Sequence, residues 1–102
     1  MSLLMFEKEL EHLGNNIRQL RRIRNLSQET LSELCGLHRT YICDVERGMR
    51  NVTVGSLLRL ANGLQTSVSE LTTGLEPRIS EALTVTHNAE AYATNARNAF
   101  PN

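Results

Sequence analysis

Residues 27–48, SQETLSELCGLHRTYICDVERG, constrain this chain more than any other stretch. Ser27 stands where a helix begins, because its hydroxyl can accept from a free N–H of the first turn. Glu29 and Glu33 follow early in that helix, where the backbone dipole favours acids. Leu31 and Leu34, with Cys35 nearby, give it an inward face, and Gly36 closes it where a left-handed cap is cheap. Only Leu37 and His38 separate this end from a second helix over 39–47, which Gly48 closes. Two short helices joined by so tight a glycine-containing turn form a helix-turn-helix.

The flanking sequence supplies helices to pack against this unit. From Phe6 to Arg24 the apolar residues Leu10, Leu13, Ile17, Leu20 and Ile23 recur at threes and fours, which predicts an amphipathic helix ending at Asn25. After Thr53, VGSLLRLANGL predicts a fourth helix with Leu57, Leu60, Ala61 and Leu64 inward. Ser67 and Glu70 form a capping box for a short fifth helix that stops at Gly74. Five helices with short connections make an all-α, compact domain over residues 6–75. Beyond it, residues 76–102 change character: Ile79, Leu83, Ala89, Tyr92, Ala93, Ala96 and Phe100 can share a helical face, although Thr84, Val85 and Thr86 dilute it. A helical C-terminal tail that packs on the domain or on a partner chain is the expectation there.

Composition narrows the function classes. Hydrophobic residues make up 40% of the chain, but aromatics only 4% and there is no Trp, so the core is aliphatic. A chain of 102 residues buries a modest fraction of its surface, which favours oligomerisation. Cys35 and Cys43 fit neither a CxxC metal pair nor a disulfide framework. His12, His38 and His87 are scattered, so no metal and no cofactor are expected. An enzyme is not expected either, because no base–nucleophile pair, phosphate loop or metal cluster is present. The start, MSLLMFEKELEH, does not resemble a signal peptide. No apolar run approaches the roughly 20 residues of a membrane span. A cytoplasmic, reduced protein is the default.

Formal net charge is zero, yet residues 17–59 carry eight arginines against four carboxylates, a net +4 between acidic ends. The planar arginine fork suits phosphates and guanine edges. On the 39–47 helix, Ile42 and Val45 face inward while Arg39, Thr40, Cys43, Asp44 and Arg47 project outward. The major groove of double-stranded DNA admits such a helix. Arg39 can pair bidentately with guanine, and Thr40 can meet a base edge or a thymine methyl. Asp44 is ill placed beside phosphates, so it would accept from a cytosine amine or orient Arg39. Tyr41 can offer its hydroxyl to a phosphate while its ring covers the core edge. His38 is an unusual N-cap that caps weakly or reaches a phosphate. Arg18, Arg22 and Arg24 are expected to be solvated, with a phosphate contact by one of them as the alternative.

From Leu13 to Leu75, about 60 of 102 residues, the chain resembles the phage repressor/Cro (Xre-like) family of helix-turn-helix transcription regulators. The likeness lies in the register of small, apolar and polar positions and in SQ, YI, ERG and RN. Within that family, HRTYICDVERGMRN is most similar to controller proteins of restriction–modification systems. The resemblance implies a homodimer on a pseudo-palindromic operator, with Arg39, Thr40, Cys43 and Asp44 toward the bases. It implies that Gln28 braces the phosphate backbone and the recognition helix, and that Arg47, Arg50 and Asn51 follow the backbone, Arg50 with the option of a groove edge. It pairs Arg21 with Glu46 in a semi-buried ion pair, and it sets Glu29 and Glu33 where some activating repressors touch RNA polymerase. The dimer surface is expected on the fourth and fifth helices around Leu64, Val68 and Leu71, extended by the tail through Tyr92 and Phe100. Two other readings stay open: the antitoxin of a toxin–antitoxin pair, or a helix-turn-helix used as a protein-interaction module.

Overall fold

Side-chain caps set where most of the helices begin. Ser27 Oγ accepts from the Thr30 N–H at 3.0 Å, and Thr53 Oγ1 from the Ser56 N–H at 3.0 Å. Ser67 Oγ does the same for Glu70 at 3.0 Å, and His38 Nδ1 accepts from the Thr40 N–H at 3.1 Å. The computed structural model describes residues 5–76. Among these it has α1 Glu7–Ile23, α2 Gln28–Cys35, α3 Arg39–Glu46, α4 Val54–Gly63 and α5 Val68–Leu71, with no strand. The first helix has no side-chain cap; Glu7 and Glu9 at its start and Arg21 and Arg22 at its end complement its dipole instead. The tail beyond Glu76, with Tyr92 and Phe100, lies outside the described residues.

Between α2 and α3 the chain turns at Gly36, whose φ of +73° is the left-handed conformation that a side chain would strain. Arrangement follows from which apolar faces meet: α1 packs on α3 and α5, α2 on α3 and α4, and α4 on α5. Leu13, Ile17, Leu31, Cys35, Ile42, Val45, Leu60, Ala61, Leu64 and Leu71 form one core. Six of them, Ile17, Leu31, Ile42, Leu60, Leu64 and Leu71, have no exposed surface. Burying each such side chain contributes on the order of 1.5–3 kcal/mol. The core is aliphatic, as the composition requires.

Two apolar positions depart from the sequence expectation. Ile23 is 69% exposed and Leu34 is 52% exposed. In α2 the core-facing line runs through Leu31 and Cys35, four apart, which rotates Leu34 to the rim. Ile23 sits at the last residue of α1, beyond the elements that cover Leu13 and Ile17. Polar ties close the bundle at its far end: Asn16 Nδ2 donates to the Leu71 and Thr73 carbonyls at 2.9 Å, and His12 Nε2 to the Thr73 carbonyl at 2.8 Å. No helix among the described residues is long and apolar enough to cross a membrane.

Candidate nucleic-acid interface

Helix α3 is held from behind by one buried carboxylate. Its inward residues Ile42 and Val45 enter the core, and Glu46, only 2% exposed, ends the same face. Arg21 grips Glu46 bidentately, with Nε 2.6 Å from Oε2 and Nη2 2.9 Å from Oε1. Gln28 Nε2 donates to Oε1 at 3.1 Å, and Arg18 Nη2 donates to the Glu46 backbone carbonyl at 3.0 Å. Arg21 Nη1 also donates to the Leu26 carbonyl at 2.9 Å, so the same guanidinium fixes the loop before α2. Burial alone would raise the Glu46 pKa. Hydrogen bonds from Arg21 and Gln28, with the charges of Arg21 and Arg18, outweigh it and hold the carboxyl below its usual range. The same bond raises Arg21 further above its ordinary value. Helices α1 and α2 therefore converge on the end of α3, while Arg39, Thr40 and Arg47 on its other edge stay exposed.

Backbone proximity reinforces this clamp. A Cβ added at Gly14 would stand 2.5 Å from the carbonyl oxygens of Val45 and Glu46, so α1 lies against the last turn of α3 with no room for a side chain.

On the uncovered edge, Arg39, Thr40 and Arg47 are exposed, and Cys43 and Asp44 are half-buried. Arg39 shares an open groove of about 370 Å³ with Arg21, Ser27, Gln28 and Glu29, at the N-terminal ends of α2 and α3. A second groove of about 350 Å³ lies between Arg47 and the Glu11, Asn15 and Arg18 side of α1, with Glu46 at its floor. Arg50 Nε lies 3.2 Å from Asp44 Oδ2, and Arg50 Cζ lies 5.5 Å from the Tyr41 ring centroid. Among the described residues, α3 thus presents an edge with exposed arginines at both ends and hydrogen-bonding groups between.

The sequence pattern of the helix-turn-helix family matches residues 17–71, more than half of the chain and all of α2, the turn and α3. This chain belongs to the helix-turn-helix family. It is similar to the control protein C.SmaI of Serratia marcescens, at 57% identity over 63 residues, or 62% of this chain and 75% of that protein. The control protein C.BamHI of Bacillus amyloliquefaciens is 42% identical over 59 residues, 57% of this chain and 73% of that one. Among solved structures, the restriction-modification controller protein C.AhdI from Aeromonas hydrophila has a TM-score of 0.62 at 45% identity, covering 63% of this chain and 97% of that one.

Within this helix-turn-helix protein several sequence expectations change. Asp44 pairs with Arg50 rather than with Arg39. Arg18 and Arg24 are tied to the protein rather than merely solvated: Arg18 to Glu46, and Arg24 to the Leu64 carbonyl through Nε and the Gln65 carbonyl through Nη2. Both reach carbonyls at helix ends, whose lone pairs lack intrahelical partners. Leu64 and Leu71 are wholly buried in their own subunit and have no side-chain surface to give a second copy. Of the described residues named for the dimer surface, Val68 alone is partly exposed. Glu29 lines the Arg39 groove, and Glu33 is exposed farther along α2. His38 spends Nδ1 on the Thr40 N–H, which makes it a working cap. No group of three or more His, Cys, Asp or Glu side chains among the described residues is arranged to hold a metal ion.

Proposed function

We propose that this chain is a sequence-specific, DNA-binding transcription regulator that acts as a homodimer on a pseudo-palindromic operator. The names of its relatives, control protein and restriction-modification controller protein, support the narrower reading of a controller of a restriction–modification operon; action on its own promoter is part of the proposal. One observation carries the reading: α3 is clamped from behind through Glu46 while Arg39, Thr40, Cys43 and Asp44 face solvent along its free edge. A rigid helix with a polar outer edge enters the major groove and reads bases from its N-terminal end.

Arg39 sits in the first turn of α3, where its fork meets guanine O6 and N7. Thr40 follows beside it, and the small Cys43 lets the helix backbone come close to the bases. Gln28 gives one N–H to Glu46 and keeps another for a phosphate. His38, Tyr41, Arg47 and Asn51 ring the helix and serve the backbone, which gives affinity and salt dependence with little sequence information. Two subunits related by symmetry place their α3 helices about 34 Å apart. Their contact lies on the α4–α5 side, where Val68 keeps exposed surface. Glu29 and Glu33 are the carboxylates available to RNA polymerase on α2.

Selection of bound sequences from a random duplex pool, repeated with Arg39→Ala, tests the reading. Wild type should enrich a two-fold symmetric site, and the variant should lose preference at one guanine per half-site, about 1–3 kcal/mol of discrimination. Identical enrichment by both proteins would overturn the assignment of Arg39. A wild type that enriches no sequence would overturn DNA reading altogether.

A further inference from the structure

The Asp44–Arg50 pair lies outside the core, on the edge that faces DNA, with the ring of the core-packed Tyr41 beside it. We infer that Asp44 and Tyr41 are positioning residues that present Arg50 to a guanine, making Arg50 a second base reader beside Arg39. This rests on the DNA-binding reading above and specifies how the same surface discriminates.

Three features support it. Asp44 takes the Arg50 Nε at 3.2 Å, so both terminal Nη groups stay available, and no hydrogen bond from them to a described residue is observed. These groups are the fork that reaches guanine O6 and N7. The guanidinium also lies 5.5 Å from the Tyr41 centroid, within cation–π range, which restricts the long side chain from a second direction. Side-chain exposures of 51% for Arg50 and 25% for Asp44 leave the pair open to a duplex lying along α3. An arginine held at two points has lost much of its rotamer freedom before DNA arrives, so less is lost on binding.

Charge separates this role from a phosphate contact. A carboxylate beside a phosphate-binding arginine would repel the phosphate and cancel the arginine's charge. A carboxylate behind a base-reading arginine instead fixes the orientation of its fork, and the base edge carries no net charge to repel it.

The test compares wild type with Asp44→Ala, Arg50→Lys and the double variant on the full chain. It uses sequence selection followed by titration of operators altered one base pair at a time. Arg50→Lys keeps the charge but lacks the fork, so it should lose preference for one guanine by roughly 5- to 100-fold. Asp44→Ala should lose preference at that same base pair by a similar factor, and the double variant should lose no more. Tyr41→Phe, which keeps the ring but loses the hydroxyl assigned to a phosphate, should weaken binding to every sequence alike and retain the preference. Unfolding midpoints should be nearly unchanged in all variants, which separates positioning from folding.

Three outcomes overturn the inference alone. Asp44→Ala could tighten binding to every sequence equally, which would make Asp44 only a repulsive charge. The two variants could lose preference at different base pairs with additive effects, which would make Asp44 a reader of its own base. Arg50→Lys could leave all preferences intact, which would make Arg50 a phosphate contact. A wild type without any sequence preference would instead overturn the DNA-reading function, and this inference with it.

Discussion

Glu46 and Asp44 stand two residues apart on one short helix, and each binds an arginine, but their surroundings give them opposite work. Glu46 is 2% exposed, and Arg21 and Gln28 both reach its carboxylate. Asp44 holds one arginine through one nitrogen, and half of that arginine is in solvent. A desolvated carboxylate cannot give up its partners cheaply, whereas an exposed one trades them with water at little cost. The inner pair therefore fixes where α3 lies. The outer pair carries little of the fold, which leaves its geometry free to serve the groove-facing edge instead.

Removing the inner carboxylate is the severest way to break this contrast. Glu46→Ala should strand the Arg21 guanidinium, whose side chain is 12% exposed, and cost about 3–5 kcal/mol. That is a large share of the total for a small domain. Urea unfolding followed by helicity checks it, and a loss below about 1 kcal/mol would mean that Glu46 is no anchor.

Acid sharpens the comparison next. The folded-state pKa of Glu46 lies below the ordinary carboxylate value. Its contribution is therefore complete above the unfolded-state value and is lost as pH falls through the folded-state value. Stability measured against pH should show an acid limb that Glu46→Gln lacks. Matching limbs in both proteins would place the acid sensitivity elsewhere.

The smallest effect belongs to the outer pair. Asp44→Ala or Arg50→Ala should shift stability by no more than about 1 kcal/mol, and by less at high salt. Thermal unfolding at two ionic strengths measures it. A loss as large as that of Glu46→Ala would erase the difference between the two pairs.

Much of this architecture could be read from the chain because the signals are local. Ser27, Gly36, Thr53 and Ser67 mark helix ends by their own chemistry, and each stands at the boundary it announced. The Arg21–Glu46 pair followed from a resemblance whose register is specific enough to align single residues. What escaped depends on how helices meet. Leu34 satisfies the helical period as well as Cys35 does, and only the position of α4 decides which one is buried. Leu64 and Leu71 show the same ambiguity at the candidate dimer surface, because an apolar side chain looks alike whether it faces its own core or a second subunit. Arg24, Arg18 and Arg50 find partners 40, 28 and 6 residues away, and long flexible cations carry no local mark of such reach.

Contact between α1 and α3 at Gly14 leaves no slack between the two rods. The reading helix consequently cannot tilt by itself; it moves only with the subunit that carries it. In the proposed dimer, adaptation to an imperfect half-site would then come from the duplex, through bending or a change in groove width, or from the contact between the two copies. Operators would be ranked partly by how easily their untouched central base pairs deform.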